Sequence, residues 1–232
     1  MSARRRIAVL ASGGGSNLQA IVDHLAARGE RRAGDVVLVV AGRETAGALD
    51  RARRAGIETA VATPAALGTV LGERAIDLVV LAGYLSLVPE EVTTRWAGRM
   101  LNVHPALLPA FGGPGLYGAR VHRAVLESGV RVSGVTVHFV DAHYDRGPII
   151  AQWPVPVLDA DSAESLAARV LRAEHLLFPR VVDAVARGAI TLGADGRVRG
   201  GFAGRAPLSL AFSLTAANEA AIADEIDALL CS

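Results

Sequence analysis

Short, almost unbroken apolar runs at residues 7–11, 36–41, 77–82 and 100–103 constrain this chain more than any other feature. A strand that alternates apolar with polar residues has one wet face, whereas a strand that is apolar throughout must be covered on both. Between the runs, apolar residues recur at helical spacing, as Leu18, Ile21, Val22 and Leu25 do after the first run. Strands alternating with helices predict an α/β fold: an open, twisted, mostly parallel, Rossmann-like sheet with helices on both faces. Further helices are expected at 45–55, 64–74 and 121–128, and further strands at 57–62 and 131–140. A strand at 149–157 should be an edge strand, because it carries Pro154 and Pro156. A long helix over 162–187 contains Pro179, which should kink or divide it, and a hairpin follows at 190–199. Residues 1–200 read as one domain. Beyond Gly200-Gly201 the composition shifts, and 201–232 reads as a C-terminal extension with a helix at 215–230.

Charge and residue usage exclude several classes of chemistry. The 24 basic residues nearly balance 23 acidic ones, giving a formal charge of +1, so nucleic acid is not the expected partner. The triplet Arg4-Arg5-Arg6 precedes an apolar stretch too brief for a signal peptide or a membrane span, and we expect a cytoplasmic chain without a membrane partner. The single cysteine, Cys231, excludes an internal disulfide framework and a cysteine-ligated zinc. No lysine occurs anywhere, so every basic residue is arginine. Schiff-base chemistry and the lysine-containing nucleotide loop are therefore ruled out.

Two places concentrate polar groups at the ends of apolar runs. After the first run, Ser12-Gly13-Gly14-Gly15-Ser16-Asn17 leads into a helix. Unpaired N–H groups there can converge on an anion such as a phosphate, with Ser16 and Asn17 as cap residues. The turn also reads as a plain capped turn, and Leu18 stands where a dinucleotide fingerprint needs its third glycine. The fourth run ends in Asn102-Val103-His104-Pro105. Alternation puts Asn102 and His104 on one face at a strand's carboxyl end, where open α/β sheets hold their sites; the pair also reads as a satisfied core histidine and a turn former. Asp145, in the loop after 131–140, could approach His104, raise its pKa and fix its orientation; it also reads as a turn residue before Arg146-Gly147-Pro148. Residues 110–118, rich in glycine, should form a loop over the site. His122 defaults to a surface or helix-start position, with a substrate-facing role as the alternative. The segment 83–89 can offer backbone groups and an apolar wall to a flat ring, and it reads equally as a stretch buried under the next helix.

Taken in order, SGGGSNLQAI, AGYLSLVP, LNVHPALLP, HRAVLESG, SGVTVHFVDAHYDRGPII and RAEHLLFP resemble the phosphoribosylglycinamide formyltransferases, the folate-dependent glycinamide ribonucleotide transformylases of purine synthesis, over about residues 5–192. The resemblance implies that 1–200 is a formyltransferase catalytic domain. It implies an enzyme moving a formyl group from 10-formyltetrahydrofolate, used as co-substrate and without a metal, to the amine of glycinamide ribonucleotide. It also implies the site residues. Asn102, His104 and Asp145 are catalytic, with His138 in the same pattern; Gly15, Ser16 and Asn17 bind phosphate and Glu174 binds ribose. Leu85, Ser86, Leu87 and Val88, with Asn102, contact the folate, although Ser86 stands where an arginine is often found. The partners are then small molecules, and the chain a monomer or homodimer. Competing readings are a formyltetrahydrofolate deformylase, a formyltransferase with another acceptor, a nucleotide-binding oxidoreductase, a phosphosugar-binding module, and a metal hydrolase using His104, His138 and His143.

Overall fold

The computed structural model describes residues 4–200 together with 223–224, so the extension and its expected helix at 215–230 lie outside the described residues except for that helical pair. The strands are β1 (Arg5–Leu10), β2 (Gly34–Ala41), β3 (Glu58–Val61), β4 (Leu78–Leu81), β5 (Met100–His104), β6 (Val132–Phe139) and β7 (Ile149–Pro156). They form one sheet in the order β3-β2-β1-β4-β5-β6-β7. The first five are parallel to their neighbours, while β6 runs antiparallel to β5 and β7 to β6. β7 is an edge, which its prolines tolerate because one side needs no ladder partner. A separate hairpin pairs β8 (Ile190–Leu192) with β9 (Val198–Gly200).

The apolar runs divide by parity between two cores, as side chains on alternate faces must. Ile7, Val9, Val39, Ala41, Leu78, Val80, Leu101 and Val103 point to one core. There they meet α1 (Ser16–Arg28), α2 (Gly47–Arg54), α5 (Ala119–Ser128) and α6 (Ala163–Ala186). Ala8, Leu10, Leu38, Val40, Val79, Leu81 and Met100 point to the other core, against α3 (Leu67–Glu73) and α4 (Glu90–Arg95). Helices therefore cover both faces, the arrangement that strands apolar throughout require. Among the described residues no helix is long and apolar enough to cross a membrane.

Three local expectations need correction. Pro179 neither kinks α6 into two helices nor ends it. Proline removes one N–H from the ladder, the one that would reach the His175 carbonyl, and the helix runs on past it to Ala186. Ser16 and Asn17 are not cap residues. Gly15 holds the N-cap of α1 in the left-handed region at φ 76°, and the two polar residues form the first turn. The third is α4, which the sequence pattern missed, although Pro89 followed by Glu90 and Glu91 is a helix-start signature.

Candidate active site

β5 ends in Asn102 and His104 on the face of Met100, and the antiparallel register places His138 directly opposite Asn102. His138 Nδ1 faces the Phe139 carbonyl at 2.7 Å. A carbonyl only accepts, so the proton sits on Nδ1 and the bare Nε2 receives Asn102 Nδ2 at 3.1 Å. The loop after β6 folds back across this face and brings in Asp145, in the left-handed region at φ 53°. Its Oδ1 accepts from Asn102 Nδ2 at 3.3 Å, and its Oδ2 lies 3.5 Å from His104 Nδ1. Asp145 is not the turn former of its loop; Asp141 is, its Oδ1 accepting from the His143 N–H at 2.8 Å. The glycine-rich segment supplies two more partners. The Phe111 carbonyl accepts from His104 Nε2 at 2.8 Å, and the Gly113 N–H donates to Asp145 Oδ2 at 2.9 Å. Thr136 and Gln152 hold the start of that segment, through bonds to Ala106, Leu108 and each other.

Electrostatics here run partly against expectation. Burial lowers the His104 pKa and outweighs the opposing pull of Asp145 and of the Phe111 carbonyl. The resting imidazole is therefore neutral at pH 7 rather than held protonated by the carboxylate. Nε2–H is committed to Phe111, so the bare Nδ1 faces an anionic oxygen. Two acceptors opposed at 3.5 Å make a place for a donor. Burial raises the Asp145 carboxyl, but the polar groups around it, the Gly113 N–H among them, hold it below the usual range.

A cavity of about 470 Å³ opens beside these groups. Asn17 and Glu174 also line it, joined by Asn17 Nδ2 donating to Glu174 Oε2 at 2.6 Å. Asn17 Oδ1 is buried without a partner among the described residues, and burial pushes the Glu174 carboxyl up to about 7 despite the Asn17 bond. Gly15 and Ser16 precede Asn17 at the start of α1. Leu85 lines the cavity, while Ser86, Leu87 and Val88 line a smaller adjoining recess with Tyr84, Val140 and Tyr144. His122 is neither a surface residue nor the start of its helix: it is 4% exposed, lies inside α5 and lines the cavity with its Nδ1 unpartnered. His143 lines the smaller recess but its side chain is 72% exposed, and among the described residues no group of three or more His, Cys, Asp or Glu is placed to hold a metal.

The profile of the formyl transferase family matches residues 5–182. The chain belongs to the formyl transferase family. A chloroplastic phosphoribosylglycinamide formyltransferase of Arabidopsis thaliana is 46% identical over 204 residues, covering 83% of this chain and 69% of that protein. The trifunctional purine biosynthetic protein adenosine-3 of Bos taurus is 41% identical over 84% of this chain, which spans 20% of it. The crystal structure of glycinamide ribonucleotide transformylase 1 from Symbiobacterium toebii superposes with a TM-score of 0.76 at 43% identity, covering 84% of this chain and 93% of that one.

In this formyltransferase most of the site residues named from the motifs line the cavity or its adjoining recess, while Gly15 and Ser16 line neither. What the sequence reading missed is the rest of the helix face that carries Glu174. Glu164, Ala167 and Leu171 of α6 line the cavity with it, and their spacing of three and four residues is the stripe that one face of a helix presents. The backbone groups of Phe111 and Gly113 were missed as well, and no side-chain pattern could have revealed them.

Proposed function

We propose that the chain transfers the formyl group of 10-formyltetrahydrofolate to the amine of glycinamide ribonucleotide, and that Asn102, His104 and Asp145 carry the chemistry. The observation that carries this reading is the opposed pair His104 Nδ1 and Asp145 Oδ2, set beside a cavity that Asn17 and Glu174 also line. The phosphate sits at the start of α1 over Gly15, Ser16 and Asn17, where helix N–H groups are unpaired, and the ribose meets Glu174. The folate ring takes the recess at Leu85, Ser86, Leu87 and Val88. The glycinamide amine enters between the two acceptors. As its nitrogen bonds the formyl carbon, the neutral Nδ1 takes the amine proton. The new imidazolium, balanced by Asp145, then faces the oxygen on which negative charge builds. The looser 3.3 Å bond from Asn102 to Asp145 gives way and turns an N–H to that oxygen, an interaction worth ~3 kcal/mol of barrier by oxyanion-hole precedent. When the carbon–N10 bond breaks, the imidazolium returns its proton to N10. Formyl and proton have then changed places, and no metal takes part.

Following folate absorbance with each acceptor in turn tests the reading. Turnover with glycinamide ribonucleotide and little without it is the expected result. Equal turnover to free formate would make the protein a deformylase, and turnover only with another amine would replace the acceptor.

A further inference from the structure

The glycine turn is held from behind by α2. The Ala48 N–H donates to the Gly13 carbonyl at 3.0 Å, and Arg51 Nε donates to the Gly14 carbonyl at 2.7 Å. The approach is so close that a Cβ on Gly15 would lie 2.8 Å from the Ala48 Cα and 3.3 Å from Arg51 Cδ, and one on Gly47 would lie 3.3 Å from the Gly14 Cα. A trans peptide is planar, with its C=O and N–H pointing to opposite sides. Fixing the carbonyls of Gly13 and Gly14 against α2 therefore turns the N–H groups of Gly14 and Gly15 away from it. They then join the unpaired N–H groups of the first turn of α1, a concave row of donors of the kind that binds anions. Of the two carbonyl anchors, one is backbone and insensitive to sequence, while the other is the Arg51 side chain. The same guanidinium reaches Gln19 Oε1 on α1 at 3.5 Å, so one residue spans the turn and the helix it opens.

We propose that Arg51 is a positioning residue for the phosphorylated end of the substrate: by anchoring the Gly14 carbonyl it aims the backbone donors of the turn, without touching the reacting atoms. This rests on the proposed function for the identity of the substrate, but not for the arrangement of the donors.

The test compares Arg51→Met, which keeps the stem and removes the donor, with Arg51→Lys. Two measurements are made on each: steady-state kinetics, and binding of ribose 5-phosphate and of unphosphorylated ribose by calorimetry or competition. For Arg51→Met we expect about a tenfold rise in the KM for glycinamide ribonucleotide and in the Kd for ribose 5-phosphate, the size of one charge-assisted hydrogen bond. The KM for formyl folate and kcat at saturation should stay within about twofold, ribose binding should not change, and Arg51→Lys should recover part of the loss. An unchanged Kd for ribose 5-phosphate overturns the proposal. So does a parallel rise in both KM values with a lowered Tm, which would make Arg51 ordinary scaffold. If the wild-type protein fails to formylate glycinamide ribonucleotide, the functional reading falls, and the ribose 5-phosphate comparison still decides the role of Arg51.

Discussion

His104 is caught between burial, which favours the neutral ring, and Asp145, which favours the charged one; burial wins. A base whose folded pKa is depressed contributes stability that is present above its unfolded value near 6.5 and lost as pH falls through the lower folded value. His122 is shifted the same way, by burial and then by His104. Activity that needs a neutral Nδ1 should follow the same sign, so kcat/KM is expected to hold at neutral pH and to decline only as pH falls through the lowered folded value, as a pH–rate profile would record. Either His104→Ala or Asp145→Asn should cut kcat about a hundredfold or more while ribose 5-phosphate still binds; undiminished turnover in either would remove the assignment. Glu174 works in the opposite direction. Its carboxyl is pushed from 4.5 up to about 7, so its contribution is complete below 4.5 and fades as pH rises through 7. Glu174→Gln should abolish that fading, a gain over wild type on the order of 3 kcal/mol at pH 8, read from denaturant midpoints at pH 5 and pH 8.

Elements differed in how much of themselves the sequence revealed. β1, β2, β4 and β5 were legible because burial on both faces leaves an apolar run that few other structures would carry. α6 was legible as a helix, yet its continuity through Pro179 was not, since a proline inside a helical pattern ordinarily ends or bends it near the preceding residue. The burial of His122 was not legible either: α5 begins at Ala119, two residues upstream of the expected start, so the histidine lies within the helix and lines the cavity. The loop carrying Asp145 is held by close approach. A Cβ on Gly147 would come 1.9 Å from the Phe139 carbonyl oxygen. Gly147→Ala should therefore cost about 2 kcal/mol or more of stability and lower kcat by displacing Asp145, while Gly113→Ala, where a Cβ meets nothing but φ is +107°, should act mainly through backbone strain. Thermal melts and kinetics on the two variants separate steric from conformational cost.

At the scale of the whole molecule, the cavity walls come from the start of α1, the end of β5, the glycine-rich segment, the loop after β6 and one stripe of α6. These segments lie within residues 4–200, and a chain ending at Gly200 is expected to keep both KM values within about twofold; a folded truncation without activity would assign the extension a share in the chemistry. That dispersal of the walls along the chain has a practical corollary. Any molecule lodged there clasps segments that separate when the protein unfolds, so occupancy at a hundred times its Kd should delay melting by the equivalent of about 2.7 kcal/mol. Compound libraries could thus be sorted by dye fluorescence on a heating ramp, long before an authentic acceptor is in hand.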